Sequence, residues 1–66
     1  KMKFKLIAKS ENYRLYKVDG MYELWYGNIA GKFSFKLGYV SDPENFFEAV
    51  GNAREEIASL MVEAGA

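Results

Sequence analysis

One dipeptide constrains the fold of this 66-residue chain more than any other feature. Asp19-Gly20 stands between two runs, Tyr13 to Val18 and Met21 to Tyr26, that are rich in strand-favouring residue types. A two-residue type I′ turn needs positive φ at both central positions, and Asp-Gly tolerates this, so the pair reads as a hairpin tip. Such a loop places Val18 opposite Met21, Leu15 opposite Leu24 and Tyr13 opposite Tyr26.

The flanking segments extend this hairpin. Residues 2–9 alternate with the period of a half-buried strand, and Ser10-Glu11 reads as the turn into strand 13–18. That turn sets Ala8 opposite Tyr13 and Leu6 opposite Leu15. After strand 21–27, Asn28 to Gly31 reads as a four-residue loop into strand 32–40. Gly27 then pairs with Lys32, Tyr26 with Phe33, Leu24 with Phe35 and Tyr22 with Leu37. Together the three turns gather one apolar set on one face, from Phe4, Leu6 and Ala8 across to Phe35, Leu37 and Tyr39. A one-residue slip would turn each strand over, so the agreement predicts a four-stranded antiparallel β-meander.

Ser41-Asp42-Pro43-Glu44 announces a helix, with Asp42 as N-cap before Pro43 or Ser41 and Glu44 as a capping box. Phe46, Val50, Ala53, Ile57, Leu60 and Ala64 follow at spacings of four and three, widened by Phe47 and Met61. The spacing predicts a helix over 43–64. Gly51-Asn52 in its interior is a weak point, the glycine alone costing about 1 kcal/mol, and marks where the helix would bend or divide. The sheet's apolar face needs a cover, and this helix is the candidate. The expectation is a single α+β domain, four antiparallel strands backed by a C-terminal helix. A straight helix of that length reaches about 33 Å against about 26 Å for an eight-residue strand, so one end overhangs. Either Leu60 and Met61 or Phe46 and Phe47 would then project, and a two-fold homodimer would bury that overhang or the face bearing Trp25.

Composition narrows the chemistry. The chain has no histidine and no cysteine, which removes disulfides, thiolate nucleophiles, imidazole bases and the usual zinc ligands. Glu55 and Glu56 point in different directions from adjacent helical positions and read as a solvated face. The loop Gly27 to Gly31 precedes a strand, so it is no phosphate-binding loop. No enzymatic activity, metal or cofactor is expected. The longest apolar run is a few residues, too short for a transmembrane helix. The lysines alternating through residues 2–7 are unlike a signal peptide, so the expectation is a soluble, cytoplasmic protein with no membrane partner. Lys1 precedes Met2, which reads as the native start.

The formal net charge of 0 conceals a division. Residues 1–40 carry seven Lys and one Arg against three acids, a net +5, and residues 41–66 carry one Arg against six acids, a net −5. On the expected fold the sheet face away from the helix presents Arg14, Tyr16, Val18, Met21 and Trp25 among Lys5, Lys32 and Lys36, with Glu23 at its centre. Aromatics among cations suit a protein interface, with Trp25 and Tyr16 as anchors and an acidic surface as partner. The alternative is single-stranded nucleic acid, which uses rings for stacking and cations for phosphates. A pI of about 6.4 and an acidic helix about 10 Å behind the sheet weaken that attraction. In architecture alone, a β-meander followed by a helix resembles small sheet-type DNA-binding domains such as the arm-binding domains of phage integrases, although no motif here matches one. The predicted function is a small non-catalytic protein-binding or adaptor module.

Overall fold

Four strands, β1 (Lys5–Ser10), β2 (Tyr13–Val18), β3 (Met21–Gly27) and β4 (Ser34–Val40), form one antiparallel sheet in sequence order. A 3-10 turn over Pro43–Asn45 leads into helix α1 (Phe46–Gly65), which packs on one face of that sheet. The computed structural model describes residues 3–31 and 33–65. The chain is α+β, as its turns and periodicity predict. No helix among the described residues is long and apolar enough to cross a membrane.

The central hairpin has the expected register. Asp19 and Gly20 take φ of 50° and 79°, and Val18 pairs with Met21, Leu15 with Leu24 and Tyr13 with Tyr26. Both outer strands differ from expectation, each for a local reason. Between β1 and β2 the turn is Glu11-Asn12 rather than Ser10-Glu11, with Glu11 at φ 57°, so Ser10 rather than Ala8 pairs with Tyr13. Ala8 therefore faces Leu15. A bulge at Ile7 then inserts an extra residue and sets Leu6 opposite Tyr16 and Lys5 opposite Lys17. Leu6, expected beneath the helix, lies on the opposite face, and Phe4 joins it there against Tyr16 and Trp25. Lys5 makes the reverse move to the helix side.

Between β3 and β4 the loop is longer than four residues. The Asn28 carbonyl accepts from the Gly31 N–H at 2.8 Å, and the Asn28 side chain accepts from the Ala30 N–H at 3.0 Å. This local turn spends Asn28 to Gly31 on its own hydrogen bonds, and pairing resumes only with Gly27 opposite Ser34. Tyr26 faces Phe35 instead of Phe33. A second bulge, at Leu37, then sets Leu24 opposite Gly38 and Tyr22 opposite Val40. Val40 thus enters the helix-side core, and Tyr39 turns to the other face, each opposite to expectation.

Asp42 caps the helical segment as expected, its carboxylate accepting from the Glu44 N–H at 2.9 Å with Pro43 at the first position. The helix continues through Gly51 and Asn52 without a break. Phe46 and Val50 are buried against Tyr13, Leu15, Leu24 and Val40, with Ala49, Ala53 and Ile57 packed around them. Full burial of Phe46 contributes about 2–3 kcal/mol, and a cluster of such residues holds the two layers together. Beyond Ile57 the helix passes the end of the sheet. Leu60, Met61 and Ala64 are exposed there, and at the other end Phe47 is exposed while Phe46 is buried.

Candidate binding face

The sheet face away from α1 is organised in rows across the strands. One row runs Lys9, Arg14, Trp25, Lys36, one residue from each strand in register. The four positions span about 14 Å at the usual strand spacing. The next row runs Leu6, Tyr16, Glu23, Tyr39. A tryptophan between cations therefore lies above a tyrosine-flanked carboxylate.

Side-chain contacts lock this arrangement. The Trp25 indole Nε1 donates to Glu23 Oε1 at 3.0 Å. The other carboxylate oxygen, Oε2, lies 3.9 Å from Lys36 Nζ. Lys36 Nζ also donates to the Tyr39 hydroxyl at 3.1 Å and sits 4.8 Å from the centre of that ring. Phe4 meets both Tyr16 and Trp25 edge to face, with ring centres 5.8 Å away in each case. Tyr16 and Trp25 meet the same way at 6.4 Å. Hence the centre of this face is a second small core. Tyr16 and Val18 are buried at 4% and 2% exposure, and Glu23 at 6%.

Burying a carboxylate is costly unless its oxygens are satisfied. Trp25 donates to one oxygen of Glu23, the Lys36 ammonium offsets the charge from 3.9 Å, and among the described residues no buried side-chain polar atom lacks a partner. The hydrogen bond to Tyr39, and more weakly the charge of Glu23, hold the Lys36 ammonium above its usual pKa of 10.5 despite the opposing effect of desolvation. Glu23 serves as a structural acceptor that orients the indole. No cluster of three or more acidic side chains stands close enough to hold a metal ion among the described residues.

The residues singled out from sequence thus divide. Trp25, Arg14 and Lys36 share one row, and Met21 is exposed at the hairpin end of the face. Tyr16 and Val18 lie on the expected side but are buried, so neither is an exposed anchor. Lys5 belongs to the helix side because of the Ile7 bulge. Lys32 lies outside the described residues. Tyr39 and Phe4 join the face unexpectedly. Gly38 was the one sequence sign of Tyr39's turn, since an isolated glycine in a strand pattern signals a bulge.

No protein-family model matches this chain, and neither a curated protein nor a solved structure does.

Proposed function

We propose that this chain is a small non-catalytic binding module that holds an acidic segment of another protein along the row Lys9, Arg14, Trp25, Lys36. The observation that carries the reading is the placement of a part-exposed tryptophan directly between an arginine and a lysine on adjacent strands. The indole is held by Glu23, Phe4 and Tyr16, so little side-chain freedom is lost when a ligand packs on it. Among the described residues Lys9 and Arg14 pair with no carboxylate. They offer charge to a partner. Exposed ion pairs are worth about 0.2–1 kcal/mol each, so the cations select and steer while Trp25 supplies most of the affinity.

Nucleic acid fits the face less well. Tyr16 is consumed in packing and offers no ring for base stacking, and the pI of about 6.4 lies well below the basic range of a nucleic-acid module. The test compares a labelled peptide of alternating glutamate and leucine with an oligothymidylate of equal length. Peptide binding that weakens at least about tenfold in Arg14→Glu supports the reading, as does a loss above about 2 kcal/mol in Trp25→Ala that still folds. Binding of the oligonucleotide alone, or of neither probe, overturns it.

A further inference from the structure

We infer that the chain self-associates as a two-fold dimer through the β4 edge and the C-terminal turns of α1, a surface separate from the cationic row. The helix starts beside Val40 and crosses the sheet diagonally, so that Arg54 reaches Glu11 and the Tyr13 ring near the opposite corner. This angle opens a wedge between β4 and the helix. The cavity measures about 390 Å³ and is walled by Phe35, Leu37 and Leu24 from the sheet and by Ala53, Ile57 and Leu60 from the helix. Its polar rim is Asn52 and Glu56.

Beside the wedge the fold leaves large apolar side chains exposed, although Phe35 stacks one side of its ring on Tyr26. Phe35 and Leu60, both on its wall, are 52% and 57% exposed. Phe33, two residues before Phe35, and Met61, next to Leu60, are 85% and 71% exposed. These four side chains leave about 500 Å² of apolar surface in water, at the upper end of the patch expected on a monomer. Pairing two such patches buries about 1,000 Å², the lower bound for a specific interface. The last turns of α1 give a second reason. From Ser59 to Gly65 every residue is exposed, and a helical end this short gains its stability from tertiary packing.

A second copy is the occupant these features fit. Met61 stands one helical turn beyond Ile57, which walls the hollow together with Phe35 and Leu37. A two-fold axis exchanges hollow and projection, so the projection of each copy fills the hollow of the other. The two sheet edges differ in the same sense. β1 carries Lys5 and Lys9, the usual guard against edge pairing, whereas β4 carries only Lys36, which is turned to the far face. The interface is apolar, and it brings together two acidic helices, so added salt does not weaken it. Binding at the cationic row has the opposite salt dependence, which separates the two proposals.

Sedimentation equilibrium between about 10 µM and about 1 mM, at low and high salt, tests this inference. The expected result is a mass rising from 7.5 kDa toward twice that value, undiminished by salt, in the wild type. Leu60→Asp and Met61→Asp, whose side chains lie outside the core, remain folded by circular dichroism and stay at the mass of one chain. A wild type that stays monomeric throughout overturns the proposal and leaves the wedge to a different protein. A dimer that survives both substitutions, or that salt dissociates, also overturns it, because its contacts then lie elsewhere.

Discussion

Trp25 and Glu23, two positions apart on β3, join side chain to side chain on one face of the sheet, the indole Nε1 donating to Oε1 at 3.0 Å. Residues i and i+2 of a strand share a face, but a direct bond between them needs a reason. Here the reason is burial. Glu23 lies beneath the apolar cover of Phe4, Tyr16 and Trp25, and Lys36 compensates its charge from the next strand.

Removing that acceptor has a measurable cost. Glu23→Ala is expected to destabilise the fold by about 1–3 kcal/mol, because it orphans the indole N–H and frees the Lys36 ammonium. Glu23→Gln keeps an acceptor for the indole and loses only the charge, so it costs less. Urea titration followed by fluorescence checks both. Trp25 is the only tryptophan, so the signal reports this site directly.

Two glycines are expected to respond in opposite directions to alanine. Gly27 has φ 88°, and a side chain there would run into the Phe33 backbone carbonyl where the loop returns to β4. Gly27→Ala therefore destabilises by more than about 1 kcal/mol. Gly51 lies inside a continuous helix with open space where a methyl group would go. Gly51→Ala stabilises by about 1 kcal/mol, a rise in Tm of about 4–8 °C for a domain this size. Thermal melts of the two variants decide the matter.

Stability also depends on pH through Lys36. Its pKa is raised on folding, first by the Tyr39 hydroxyl, so the folded state holds this proton more tightly than the unfolded chain. The contribution is fully present below the ordinary value of 10.5 and is lost as pH rises through the folded pKa. Lys36→Met lacks this increment. Its stability is expected to fall less than that of the wild type as pH rises above 10.5. Urea midpoints of the two proteins, compared across this rise in pH, check the prediction.

The β2–β3 pairing was legible because Asp19-Gly20 is a local device whose two positive φ angles set the register by themselves. Asp42-Pro43 is equally local, and the helical segment begins there as the 3-10 turn that leads into α1. The cationic row survives in part for the same reason, since Arg14 and Trp25 both belong to the hairpin that the turn specifies. Lys36 reached its expected face by a different pairing from the one its loop length implied. Phe4, Leu6, Lys5 and Tyr39 were placed on the wrong side, and each lies beyond a bulge.

The amino-acid sequence by itself determined the elements, their order, the antiparallel meander and the helix start, all of which rest on contacts between near neighbours. It also determined the division of charge between the sheet-forming and helix-forming parts. Only the tertiary structure decided where the bulges at Ile7 and Leu37 fall, and with them which side of the sheet each edge strand presents. A bulge shifts every later residue by one position at small local cost, so its location follows from which side chains find burial across the whole sheet. Phe4 and Tyr39 turned outward, and Val40 turned in to meet the helix. As a result the face expected to be open became a second small core with a tryptophan and three cations along its rim.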